Sequence, residues 1–209
     1  MIFQKIYLKK DIRFEFMGGD ITSDKTSTIE NVTDKIYEKV KSCMDYYKYQ
    51  ENDIWSIIQI FDTDGAYIPD NAIVVGEETG FQYSEEHIFA KDIENVVERN
   101  TRKRELMNYL KSLDSIKNIP YRGYYMSSNL DHALYNKQNL SNDEKNAYAD
   151  AFYKFFEGKE HKFIDFLKLD VVNGVPANYI SSWNYIGEGI RSLERHTNLH
   201  IYFQSNPLI

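Results

Sequence analysis

The stretch from Asp53 to Pro69, DIWSIIQIFDTDGAYIP, organises the reading of the chain. Its apolar run, Ile54 to Phe61, carries no helical stripe and reads as a strand buried on both faces. It stops at Asp62-Thr63-Asp64-Gly65. Two carboxylates one residue apart at a strand end are costly unless something positive sits there. Gly65 allows a sharp turn after them. Ligands of open α/β sheets bind beyond the carboxyl ends of the strands, and hard divalent cations prefer oxygen. Asp62 and Asp64 are therefore candidate Mg²⁺ (or Mn²⁺) ligands. The plainer alternative is a solvated Asp-Gly turn.

Outward from that stretch, the pattern predicts an α/β architecture. Ile12 to Phe16 alternates apolar and charged residues, as a strand does, before Gly18-Gly19-Asp20 breaks it. Residues 1–10 suggest a strand or an arm. Helical spacing runs from Ser27 to Tyr49, with Ser27 and Glu30 as a capping box. Strand, helix and strand imply a βαβ unit with a parallel pair. Residues 72–75 suggest a short strand, 76–80 a loop, 93–113 a helix, and 121–126 a third core strand. Ser141 and Glu144 cap a helix to Phe156; further helices are expected at 161–169 and 178–195, with a closing strand at 199–203. The expected organisation is an α/β core over 1–136, a helical part over 137–197 packed on it, and a strand and tail over 198–209.

Composition narrows the function. The 209 residues are 42% hydrophobic, enough for a real core rather than a disordered chain. A net charge of -7 argues against coating nucleic acid by bulk charge, though a local basic patch remains compatible. The single Cys43 excludes an internal disulfide and suits a reducing cytosol. No run of about 18 apolar residues suggests a membrane span. A cytoplasmic protein is the expectation.

Three acidic positions lie at expected strand ends: Glu15, the Asp62/Asp64 pair, and Asp131. In this arrangement the chain resembles the Toprim domain of topoisomerases, primases, OLD-type nucleases and small phage-defence proteins. Phe14-Glu15-Phe16-Met17-Gly18 stands for its glutamate motif, Ile60 to Gly65 for its Asp-x-Asp motif. Ser128-Asn129-Leu130-Asp131 is similar to a segment of RloB-like and abortive-infection proteins. The resemblance covers residues 10–135 in pattern and implies a Rossmann-like, mainly parallel central sheet flanked by helices. It further implies Mg²⁺ at Asp62 and Asp64, Glu15 as ligand or general base, and Asp131 at a second metal position. The chemistry would be phosphodiester cleavage on nucleic acid, in phage defence.

Other residues compete for roles. His132, beside Asp131, is a candidate general base or a surface histidine near a helix start. Arg99, Arg102, Lys103 and Arg104 could grip phosphates or form a solvated helix face. Arg191 and Arg195 could contact phosphate or pair with Glu188 and Glu194. Two further readings remain open. A haloacid-dehalogenase-like phosphatase would use Asp62 as nucleophile and Asp64 as acid/base. A non-catalytic subunit of a defence system would keep a degenerate metal site and bind a protein partner. A homo-oligomer is compatible with either.

Overall fold

A computed structural model describes residues 2–7, 12–77 and 80–206. The fold is mixed α/β, with two small sheets that each contain a parallel pair. The main sheet has the order β1-β6-β5. Its strands are β1 (Ile57–Asp62), β5 (Ser115–Ile116) and β6 (Ile119–Met126). β1 and β6 run parallel, with Asp62 opposite Met126, and β5 folds back antiparallel on β6. A second sheet, β2-β4-β3, lies in the segment between β1 and β5: β2 (Ile73–Val75), β3 (Gln82–Tyr83) and β4 (Ile88–Ala90).

Side chains alternate along the strands and so feed two cores. Ile57 and Phe61 of β1 and Tyr121 and Tyr125 of β6 pack with α2 (Val32–Tyr47), the end of α3 (Ile93–Leu110) and Trp183 of α7 (Tyr179–Ile186). On the other face, Tyr124 and Met126 pack with α5 (Asn142–Phe156), α6 (Lys162–Phe166) and the π-helical turn Leu167–Val171. α8 (His200–Ser205) and α1 (Ile2–Ile6) close that side, where the Tyr7 hydroxyl donates to the Asn206 carbonyl at 2.8 Å. A third cluster seats the small sheet on α3 through Ile73, Ile88 and Val96. No helix among the described residues is long and apolar enough to cross a membrane.

The structure corrects several expectations. Residues 12–18 belong to no ladder, so the expected strand, and with it the first βαβ unit, is missing. The parallel pair is instead β1 with β6. β1 forms the edge of its sheet, and Ile60 is 38% exposed rather than buried. α2 starts at Val32, and Asn31 makes no side-chain cap, so the Ser27–Glu30 box does not form. The helix expected over 178–195 ends at Ile186, before Gly187 and Gly189. The closing strand at 199–203 is helix α8, because His200, Ile201, Tyr202 and Phe203 are all buried. By contrast α5 carries both hydrogen bonds of its Ser141–Glu144 capping box. Of the expected N-terminal strand or arm, residues 2–6 are helical, and 8–11 lie outside the described residues, as do 78–79 of the loop and 207–209 of the tail.

Candidate functional site

The site lies where β1 ends. Asp64 has φ 48° and Gly65 φ 67°, both left-handed. Aspartate tolerates that region and glycine is free in it. At Gly65 a Cβ would come within 2.7 Å of Leu193 Cδ2 and 2.9 Å of Ile88 Cδ1, so no other residue fits without displacement. The turn is fastened by the Thr63 and Asp64 amides, which donate to the Met126 and Ser128 carbonyls. The Thr63 hydroxyl donates to the Ser192 carbonyl at 3.0 Å. α3 holds it from the other side. Arg99 donates to the Asp64 carbonyl at 2.8 Å, and Asn100 to the Gly65 carbonyl at 3.4 Å.

At the centre is Lys103, whose side chain is fully buried. Its Nζ donates to Asp20 Oδ2 and Asp64 Oδ2, each at 2.5 Å, and to Ser23 Oγ at 3.0 Å. Three acceptors match the three protons of an ammonium. Burial pulls the Lys103 pKa down, but the Asp64 and Asp20 carboxylates outweigh it and the net shift is upward. Asp20 also accepts from the Thr22 amide and hydroxyl and from the Ser23 hydroxyl. Burial works against its ionisation, yet Lys103 and these donors hold the carboxyl at about 2.

Asp62 has less help. Its Oδ1 accepts from the Leu130 amide at 2.8 Å. Burial, with Asp64 beside it, pushes its pKa up to about 7 against the attraction of Lys103. Two oxygens at this strand end, Asp62 Oδ2 and Asp64 Oδ1, have no hydrogen-bond donor among the described residues.

The expected site residues are only partly brought together. Asp62 and Asp64 meet. Glu15 does not join them: it pairs with Arg13 and lies against Tyr47 and Cys43. Asp131 is nearly buried and faces Lys145 at 3.4 Å. His132 is buried, and burial with Arg195 and His196 nearby lowers its pKa to about 4. It is neutral and enclosed, not a surface residue. Among the predicted phosphate contacts, Lys103 is internal. Arg99 is tied to Asp64, Asn100 and Tyr83 and lies over the Phe81 ring. Arg191 pairs with Glu188, and Arg195 donates to the Ala133 and Asp170 carbonyls. Arg102 buries its Nε without a partner among the described residues, and Arg104 lies near the Tyr67 hydroxyl.

Asp20 and Ser23 were missed, because Gly18 to Ser23, Gly-Gly-Asp-Ile-Thr-Ser, reads as a self-contained turn. Lys103 left a usable signal. It occupies the same apolar stripe as Val96, Leu106, Met107 and Leu110, where a lysine must find a buried partner.

A divalent ion fits the free oxygens in a limited way. Mg²⁺ commonly takes one or two carboxylates, several waters and oxygens of a substrate phosphate. Asp62 and Asp64 satisfy that minimum. Among the described residues no group of three or more acids, histidines or cysteines is disposed to hold one ion, so the larger set with Glu15 and Asp131 is not assembled. Compared with family models, curated proteins and solved structures, the chain matches none of them significantly.

Proposed function

We propose that the end of β1 is a Mg²⁺-dependent site for phosphodiester cleavage on nucleic acid. One observation carries the proposal. Asp62 and Asp64 offer two unpartnered oxygens at the carboxyl end of a parallel strand, above a buried ammonium that fixes Asp64. In this reading Asp62 and Asp64 hold the ion, Lys103 orients Asp64, and the Leu130 amide orients Asp62. The bound ion would supply positive charge for the phosphate and an activated water. The resemblance to Toprim proteins extends the proposal to a Rossmann-like kinship of the fold and to a place in phage defence.

The phosphatase reading rests on the same two aspartates, with Asp62 as nucleophile and Asp64 as acid/base. A second reading is favoured by a different observation. Lys103 is buried, Arg99 and Arg195 are tied to backbone carbonyls, and Arg191 pairs with Glu188 at the surface, so these four candidate phosphate contacts are already engaged. That favours a binding subunit with a protein partner.

The test is cleavage of single-stranded and duplex DNA and RNA with Mg²⁺ or Mn²⁺, for wild type and Asp62→Asn. Metal-dependent cleavage by wild type and its loss in the variant are expected. Hydrolysis of small phosphomonoesters alone would support the phosphatase. Ion binding without turnover on any substrate would support the subunit.

A further inference from the structure

We propose that the cavity at the amino ends of β1 and β6 binds an alkylammonium ion, with Glu51 as its counter-charge and Trp55 as one wall. The cavity lies at the opposite end of the parallel ladder from Asp62 and is independent of the function proposed above.

Two cavities invite comparison. The larger, about 470 Å³, is lined by charges that are mostly matched already. Lys35 pairs with Asp24, Lys39 donates to the Gly18 carbonyl, Asp20 faces Lys103, and Asp34 pairs with Lys117. The second, about 390 Å³, falls within the usual size of small-molecule sites. Residues of two segments line it, Glu51, Asn52, Ile54 and Trp55 before β1, and Asn118 and Ile119 at the start of β6. No lysine, arginine or histidine is in that lining.

The unmatched group is the Glu51 carboxylate. It has no hydrogen-bond donor and no cation among the described residues, and its Oε1 is cut off from solvent. A carboxylate short of donors is stabilised by a cation that brings N–H groups to it. The exposed Asn52 and Asn118 have no side-chain partner among the described residues, so their amide oxygens can accept as well. One carboxylate and two amide oxygens match the three protons of a primary ammonium. Trp55 is 57% exposed, and an indole face attracts a cation. Ile54 and Ile119 give the alkyl chain an apolar surface. An anion would meet Glu51 unfavourably, and a neutral chain would leave the carboxylate without a counter-charge.

Both walls are fixed before a ligand arrives. Gln50 and Asp53 close a capping box around the 3-10 turn Glu51–Asp53. Lys117 and Asn118 form the tight turn between β5 and β6, where Lys117 has φ 54° and donates to Asp34 at 2.6 Å. Little ordering is then lost on binding.

The experiment uses the protein's own tryptophans. Trp183 is 1% exposed and Trp55 57%, so a ligand in this cavity changes the emission of Trp55 rather than that of Trp183. At constant ionic strength the full chain is titrated with n-butylammonium, with 1-butanol as its neutral counterpart, and with a terminally blocked peptide whose one cation is a lysine side chain. The proteins are wild type, Glu51→Gln, and Glu38→Gln, which removes the same charge at the other cavity. A saturable response of wild type to n-butylammonium is expected, weakened about tenfold or more in Glu51→Gln and unchanged in Glu38→Gln. That result makes a free amine the source of the ammonium; a response to the lysine peptide alone supports the same site with a protein lysine as the source. An equal response to 1-butanol would overturn the proposal and leave only an apolar cleft. Undiminished binding by Glu51→Gln, an equal loss in Glu38→Gln, or no saturable response to either ammonium would overturn it too.

Discussion

At the end of β1, side chains from residues 20, 23 and 64 close on one ammonium, whereas one strand away, at the end of β6, the polar side chains close on backbone. There Ser127 donates to the Arg191 carbonyl, Asn129 caps α4 (Leu130–Tyr135) by accepting from the His132 amide, and Asn129 also donates to the Gln138 carbonyl. In sequence the two ends look alike: an apolar strand, then small polar residues and an aspartate. They differ in what the charge meets. The β1 end keeps three carboxylates around one lysine and holds Asp62 against its preference. The β6 end ties Ser127 and Asn129 to backbone and encloses a neutral histidine, and Ser128 Oγ and His132 Nδ1 are buried there without a partner among the described residues.

Removing the lysine should break this contrast most strongly. Loss of one partner from a buried ion pair costs about 3–5 kcal/mol. Asp20 and Asp64 keep 32% and 21% of their side-chain surface, so solvent softens the loss. For Lys103→Met a destabilisation of about 2–3 kcal/mol is expected in metal-free urea unfolding. A change below about 0.5 kcal/mol would mean that the ammonium is not a structural counter-ion.

A smaller effect of opposite sign is expected at Asp62. Its folded pKa is raised from the ordinary 3.8 to about 7, so the folded state favours the protonated form. The resulting penalty is absent below 3.8, grows as pH rises, and is complete above 7. Asp62→Asn removes it and can still accept from the Leu130 amide. In metal-free buffer the variant should match wild type near pH 4 and be more stable at pH 8, by about 1–2 kcal/mol. Equal melting curves at pH 8 would show that Asp62 ionises there without strain.

The β6 end should titrate in the other direction, and more weakly. His132 is lowered from 6.5 to about 4, so the stability tied to its neutral form is present above 6.5 and is lost as pH falls through 4. Replacement by glutamine, His132→Gln, should flatten the decline between pH 6.5 and 4 by about 1 kcal/mol. An unchanged slope over that window would place the acid sensitivity elsewhere. With both groups intact, the two ends pull the stability optimum toward mildly acidic pH from opposite sides.

How much of this was legible follows from the range of each signal. The α5 cap was readable because Ser141 and Glu144 are three residues apart and satisfy each other. The Asp62–Gly65 turn was readable from residue type, since Asp and Gly are ordinary turn residues, although distant carbonyls fasten it. Residues 199–203 misled because an apolar run that is buried all round has no period to separate strand from helix. β1 looked doubly buried because composition does not say which strand ends up at an edge. The junction of Asp20 with Asp64 could not be read, since the link among the described residues is Lys103, far from both in sequence. Glu15 was read into the site because alternation at 12–16 suggested a strand, and alternation says nothing about a missing neighbour.

The parallel pairing of β1 with β6 has a kinetic consequence. Between them the chain must first lay down the small sheet and all of α3. Closing such a long loop costs entropy before any ladder bond returns it, and parallel pairing of this high contact order is slow. α3 forms from local contacts and can be in place early. The carboxylates then meet their ammonium only as the ladder closes, and Asp62 loses its water late on the folding path. Substitutions within α3 should therefore slow folding, whereas those at Asp62 should leave the folding rate unchanged and alter only unfolding, as stopped-flow measurements can separate.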